Sequence, residues 1–302
     1  MITKFGKRFL TSAIAGVIDF NAKDIAVGIA GQSDYAISDT NSRLGFEFFR
    51  LPVMLGSMDI ADDGNGGYTY TAIYKTTIPQ DISGTIKEIA LYPGARSGLT
   101  GFDSKLLTDF EDTVYWSDSL GNKPDLLNST ESSPRIGEYM AEWKFDIGDT
   151  TSGSKEYRYP MGAYDLSGYS VNDTLDLSFN KIDTNSSKIR IKFYSSDTDY
   201  VYGDIDISSL SVGGYIKNVP LADVFNNVSG TPDLAMISYI GVEVYRASTS
   251  SDAIVHMDGL RINDEDTFDP AYGMVSRSIL STPIVKVSGK PIDIEYKLTL
   301  EF

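Results

Sequence analysis

The sequence predicts an all-β protein of two β-sandwich or jelly-roll domains, the second inserted into the first, with one short N-terminal helix. Three observations predict it. Short runs of alternating apolar and polar residues recur along the chain, which is the period of a strand with one buried face. Gly, Asp, Asn and Ser punctuate these runs, and 19 Tyr and 14 Phe accompany few helix signals. Strand-like segments, Tyr68–Pro93 and Pro291–Phe302, also lie on either side of a long stretch that carries a full set of strands of its own.

The elements follow in order. Lys7–Ile18 places Phe9, Leu10, Ala13, Ile14 and Val17 on one helical face. Asp24–Ala30 and Leu44–Val53 read as strands, the latter ended by Pro52. The cluster from Asp62 to Gly67 closes a hairpin between Leu51–Ile60 and Tyr68–Ile78. Gly84–Tyr92 supplies Ile86, Ile89 and Leu91 to a core. The glycine-bearing stretch Pro93–Ser104 is a first boundary, and the acidic Asn263–Tyr272 is a second. In the last strand Ile292, Ile294, Tyr296, Leu298, Leu300 and Phe302 alternate with polar residues. That strand needs a partner sheet, because a lone two-stranded ribbon is marginal in water. The expected domains are therefore 1–100 with 268–302, and an insert over 105–264. Within the insert, Leu175, Leu177 and Phe179, then Ile189, Ile191 and Phe193, then Ile240, Val242 and Val244 alternate with polar neighbours.

Composition narrows the functions. The 302 residues suffice for two domains, and 41% of them are hydrophobic. Cysteine is absent, so neither disulfides nor thiolate-bound metals are available. The single histidine, His256, removes zinc sites built on several imidazoles. With 26 basic and 42 acidic residues the net charge is −16, which argues against nucleic acid as a partner. Phe9–Ile18 is too short to span a bilayer, so no membrane partner is expected. No phosphate-binding glycine loop is present.

The flanks carry Phe5-Gly6-Lys7-Arg8-Phe9-Leu10, Phe46-Glu47-Phe48-Phe49-Arg50-Leu51-Pro52 and Tyr74-Lys75-Thr76-Thr77-Ile78-Pro79. They also carry Ile86-Lys87-Glu88-Ile89-Ala90-Leu91-Tyr92. Together these resemble tailed-bacteriophage virion structural proteins. The insert opens with Asp109-Phe110-Glu111-Asp112 and Trp116. It continues through Asp165-Leu166-Ser167-Gly168-Tyr169 and Asn218-Val219-Pro220-Leu221-Ala222-Asp223, and closes with Ile254–Ile262. That order resembles a carbohydrate-binding-module jelly roll.

The second resemblance implies a structural Ca²⁺ held by Asp109, Glu111 and Asp258. By parity Asp258 shares the inward face with Leu260 and Ile262, where a carboxylate must be paired or metal-bound. Stacking of sugar rings would use exposed aromatics. Trp116, Tyr157 and Tyr159 are the candidates taken forward from a wider set that includes Tyr139, Trp143, Tyr164 and Tyr200. Trp143 shares a strand face with Tyr139, Ala141 and Phe145 and reads as core. Phe5, Phe9 and Leu10 form an apolar arm suited to an assembly interface. No catalytic set stands out: 42 acidic residues make many chance carboxylate pairs, and His256 lies inside a strand pattern. The resulting expectation is a non-enzymatic virion structural protein at the tail, baseplate or fibre region. Its partners are other virion proteins, copies of itself and surface glycans. The alternatives are a head decoration protein and a glycan-binding adhesion module, the latter recognisable by an exposed groove with two or more aromatics. An enzyme would instead show two carboxylates in one cleft, one with a raised pKa.

Overall fold

The computed structural model describes residues 1–14, 22, 24–41, 43–62, 64, 66–93, 104–146, 153–263 and 273–301. The two expected boundary loops, over 94–103 and 264–272, the end of the expected helix beyond residue 14, and Phe302 lie outside the described residues. The chain divides into two compact units, Met1–Phe102 with Thr267–Phe302, and Asp103–Asp266.

Along the chain, helix α1 (Lys4–Ile14) is followed by β1 (Asp24–Gly28), β2 (Glu47–Pro52), β3 (Met54–Asp62), β4 (Tyr68–Ile78) and β5 (Gly84–Tyr92). The second unit begins with β6 (Ser104–Thr108), β7 (Asp125–Asn128), β8 (Tyr139–Phe145), β9 (Ser154–Tyr164) and β10 (Thr174–Lys181). It continues with β11 (Ser186–Tyr194), β12 (Tyr200–Asp206), β13 (Gly213–Pro220), the short helix α2 (Leu221–Asn226) and β14 (Val228–Ser229). It ends with β15 (Ile237–Arg246) and β16 (Ala253–Asn263). The first unit is completed by β17 (Ser276–Lys286) and β18 (Ile292–Glu301).

In the first unit, α1 starts one turn earlier than the apolar pattern implies. The reason is a cap: the Thr3 hydroxyl accepts the Gly6 N–H at 2.9 Å. Phe9 and Leu10 are buried, and Phe5 is half-buried with its ring stacked on Phe9 at 6.0 Å. The expected apolar arm is therefore folded into its own unit, and Phe9 and Leu10 present no surface for assembly. The strands form two antiparallel sheets, β17-β5-β1-β2 and β18-β4-β3. Ile25, Ile86 and Leu91 of the first share a core with Tyr74, Ile78, Ile294, Tyr296 and Leu298 of the second. The strand nearest the C-terminus pairs with β4 from Ile292 opposite Ile78 to Glu301 opposite Thr69. A buried ion pair ties the two chain segments of this unit. Arg277 of β17 reaches Glu88 of β5 through Nη2 at 2.8 Å and Nε at 2.9 Å. Glu88 also accepts the N–H groups of Gly45 and Phe46, so its charge is fully engaged. Gly28 lies under this carboxylate, and a β-carbon there would overlap it.

The second unit is a sandwich of two antiparallel sheets of jelly-roll type. One has the order β13-β10-β16-β8-β7, with β6 also on β16, and the other β14-β12-β11-β15-β9. Their inner faces share Trp143, Phe179, Phe193, Val242, Leu260 and Ile262. Trp143 is core, as its alternation implies, and its indole N–H donates to the Val242 carbonyl at 3.0 Å. Among the described residues the regular structure is almost all strand, with one N-terminal helix and one short internal turn of helix.

Candidate functional site

The outer face of the sheet β14-β12-β11-β15-β9 follows directly from alternation. Ile189, Ile191 and Phe193 of β11 point into the core, so Lys188, Arg190, Lys192 and Tyr194 point out. Register then sets their neighbours. Lys192 lies opposite Tyr202 on one side and Gly241 on the other, and Arg190 lies opposite Asp204 and Glu243. The charges pair across strands. Arg190 holds Asp204 through two bonds of 2.6 and 2.8 Å. Lys192 bridges Glu156 at 2.9 Å and Glu243 at 2.8 Å. Burial works against the Lys192 charge, but these two carboxylates outweigh it and hold the ammonium well above its ordinary pKa. Tyr194 donates to Glu156 at 2.6 Å, and burial together with this carboxylate raises its phenol. Cations also cover the rings: Arg190 lies 3.9 Å over Tyr202, Arg158 4.1 Å over Tyr194 and Lys188 4.0 Å over Tyr245. Gly241 makes this possible, because a β-carbon there would collide with both Glu156 and Tyr194.

At the β9 edge this face deepens into an open groove of about 970 Å³. Glu156, Arg158 and Pro160 of β9 and Tyr239 of β15 line it on the sheet side, and residues from 115 to 122 form a wall. The wall is pinned to β9 by a two-way backbone bridge. Ser117 N–H reaches the Arg158 carbonyl at 3.1 Å, and Arg158 N–H reaches the Ser117 carbonyl at 2.8 Å. Trp116 anchors it from inside, stacking on Phe110 at 5.2 Å and meeting Trp143 edge-on at 5.6 Å. Asp118 folds the loop by accepting the N–H groups of Leu120 and Asn122, each at 2.8 Å. Burial raises the Asp118 carboxyl, but the Asn122 side chain and these backbone bonds together outweigh it and hold it below the usual range. Two exposed rings are part of the lining: Tyr115, 62% exposed, and Tyr239, 40% exposed. Arg158 is held in place by Glu156 at 3.1 Å and Asp197 at 3.0 Å. The site is thus a polar trough with two exposed aromatic rings in its lining, suited to a ligand rich in hydroxyls.

The aromatics picked from sequence are placed differently. Trp116 and Tyr157 are buried, Tyr157 against the edge of Trp143 at 5.3 Å, so neither offers a face to a ligand. Tyr159 is half-buried and serves as a prop, packing on Trp116 at 5.4 Å and under Tyr115 at 6.4 Å. The ring that reaches solvent is Tyr115, one position before the tryptophan. Its signal was its place in a loop, because nothing in the alternation marks it.

The three carboxylates implied as calcium ligands do not fit that ion. A bulge opposite Ser178 and Phe179 breaks the parity of β16, so Asp258 turns away from Met257 and Leu260. It stays buried, covered by the 135–136 segment. Its Oδ1 accepts the N–H groups of Arg135 at 3.1 Å and Ile136 at 3.2 Å, and its Oδ2 accepts the Ser178 hydroxyl at 2.8 Å. Burial pushes its pKa up to about 6, against the opposing pull of Arg135 and these bonds. Glu111 is likewise occupied by the N–H groups of Glu138 at 2.9 Å and Tyr139 at 2.8 Å. Its pKa is raised by burial, and Asp109 and Asp258 add to the rise. Asp109 accepts the Glu111 N–H at 3.2 Å, closing a turn in which Phe110 adopts a left-handed φ of 56°. Oxygens that face N–H and O–H donors do not form the shell of six to eight oxygens that calcium takes. Among the described residues no group of three His, Asp or Glu is placed to hold a metal ion.

No family model and no curated protein matches the chain. Solved structures do. The family 11 carbohydrate-binding module of a cellulosomal cellulase of Clostridium thermocellum is 18% identical, with a TM-score of 0.38 over 53% of this chain and 94% of that one. A family 30 carbohydrate-binding module is 12% identical, with a TM-score of 0.39 over 55% of this chain and 90% of that one. An agarase is 14% identical, with a TM-score of 0.36 over 56% of this chain, and the match spans 26% of the agarase. These overall likenesses are low, so the functional reading rests on the groove itself.

Proposed function

We propose that the chain is a non-enzymatic adhesion component of a bacteriophage particle, in which the second unit binds a glycan and the first attaches it to the virion. The observation that carries the glycan half is the groove whose lining brings together exposed Tyr115 and Tyr239 with the charged pair Arg158 and Glu156. Flat rings cover the apolar faces of a sugar, and the paired charged groups donate and accept hydrogen bonds from its hydroxyls. The virion half is supported by the sequence resemblance of the flanks. Reading the unit as a binder and not a hydrolase is supported by its acids. The one groove carboxylate with a clear shift, Asp118, is lowered, whereas Asp258 and Glu111 are raised by burial outside the groove.

Retention of the full chain on a panel of immobilised polysaccharides tests this. At least one neutral polysaccharide should retain it, and Tyr239→Ala and Tyr115→Ala should each weaken that about ten-fold, or roughly 1.4 kcal/mol. Equal retention of the variants would remove the groove from the account. Release of new reducing ends would overturn the non-enzymatic reading, and absence of the chain from purified particles would overturn the virion half.

A further inference from the structure

The second unit holds another cavity that glycan binding in the groove leaves unused. It is an open pocket of about 280 Å³, lined by Leu106 and Thr108 of β6, Asp109 and Asp112 of the turn after it, Tyr115, and Tyr159 of β9. Tyr115 also lines the groove, so the two cavities adjoin at this residue. The sequence sets their relative placement. The antiparallel bridge of Ser117 with Arg158 brings Tyr115 close to Tyr159, and the two rings meet edge-on at 6.4 Å. Successive residues of a strand point to opposite faces. Arg158 and Pro160 accordingly line the groove, and Tyr159 between them lines the pocket. The groove follows β9 from Ser154 to Pro160, and β9 is an edge strand. The pocket thus lies across that edge from the groove, to its side.

We propose that this pocket takes a single-sugar side branch of a polysaccharide whose main chain lies in the groove, with Tyr115 touched by both. The ligand class is then a neutral polysaccharide that carries short branches. Size divides the roles. Ligand pockets start at about 300 Å³. The groove, at about 970 Å³, has room for several sugar rings, and the pocket has room for one. Direction agrees, because a branch leaves its main chain sideways. The chemistry is that of a hydroxyl binder. Asp112 accepts the Val114 N–H at 2.6 Å and Asp109 the Glu111 N–H at 3.2 Å, each through Oδ1. Among the described residues neither Oδ2 has a partner. The Thr108 hydroxyl accepts the Phe110 N–H at 3.1 Å and keeps its own proton to donate. Neighbouring hydroxyls of a sugar donate charge-assisted bonds to such carboxylates, and the two tyrosines supply ring surface. An acidic sugar would meet like charge. This inference rests on the glycan reading of the groove and deepens it.

Retention of the full chain on matched polysaccharides tests the pocket. The probes are galactomannan, arabinoxylan and xyloglucan, each immobilised intact and after enzymatic removal of its side sugars. At least one intact polymer should hold the chain about ten-fold more tightly than its debranched form. Two variants report on the pocket alone. Leu106→Trp fills it. Asp112→Asn keeps the Val114 bond through its carbonyl oxygen and puts a donor where the free acceptor was. Each should bring the intact polymer down to the debranched level, a loss of about ten-fold. Neither should change retention by the debranched form, which also shows that the variants fold. Tyr239→Ala, in the groove, should weaken both forms alike. Equal retention of both forms of every polymer, lost in Tyr239→Ala, overturns the branch site and leaves the groove standing. A preference for the intact form that both pocket variants keep does the same. Retention on none of the polymers overturns the glycan reading and this inference with it.

Discussion

The outer face of the five-stranded sheet in the second unit and the outer edge of the three-stranded sheet in the first obey the same alternation rule, yet they meet water in opposite ways. On the first, Lys192, Glu156, Glu243, Arg190 and Asp204 satisfy one another across strands, and tyrosine rings lie beneath the cations. That face is complete in water, with its charges paired and its rings covered. On the second, Met54, Met58 and Ile60 stand exposed beside an open backbone ladder. Such a surface leaves apolar side chains in water and, among the described residues, is paired on one side alone. Period-2 patterning therefore says where a sheet has two faces, and the chemistry of the outward residues says what kind of partner each face accepts.

The contrast assumes that each face belongs to a unit with its own stability. The largest effect should come from breaking that assumption. Glu88→Ala leaves Arg277 charged and buried without its carboxylate, which should cost about 3–5 kcal/mol. Calorimetry of the full chain should show one transition falling while the other, and retention on polysaccharide, stay in place. A single transition that falls as a whole would mean the faces are not independent.

A smaller effect concerns how the second unit carries buried charge. The Asp258 carboxyl is raised from 3.8 to about 6 in the fold. In that window the native state keeps a proton that the unfolded chain has released. Its contribution to stability is thus greatest below about pH 4 and falls as pH rises to about 6, by roughly 3 kcal/mol in all. Asp258→Asn can keep the two backbone bonds and reverse the sense of the Ser178 bond, so it should lack this decline. Denaturant titrations at pH 4 and pH 7 measure it, and parallel losses in both proteins would show that Asp258 does not titrate in this range. The smallest expected effect is none: a chelator should leave both melting transitions where they are. A drop in the second unit's transition on adding chelator, reversed by calcium, would mean that Asp258 and Glu111 reorganise around a cation.

Much of the architecture was legible. The alternation from Ile292 onward called for a partner sheet, and the strand pairs with β4 over its full length. The side chains that define the sandwich core, such as Ile189, Val242 and Trp143, sit where their periodicity put them. Errors arose where a single residue changes the phase. Thr3 starts α1 early by capping it, and the extra residue in β16 turns Asp258 to the other face. The groove was less legible for a different reason. Lys192 meets Glu156 and Glu243 only through the register of three strands, which composition and spacing do not encode. Trp116 drew attention as a large aromatic, but size favours burial as much as display. Its neighbour Tyr115 gained the solvent-facing position because the wall turns just there.

The Glu88–Arg277 bond also has a consequence in time. Its two residues are 189 positions apart in sequence, with the whole second unit between them. At bacterial and eukaryotic translation rates, roughly ten to forty seconds separate their synthesis. The second unit is finished during that wait, while the first has a carboxylate with no guanidinium to meet it. A chain that ends early can therefore carry a complete second unit beside a first unit that has not closed. The ion pair that locks the first unit forms only on chains translated past residue 277, so the order of manufacture itself separates finished molecules from fragments.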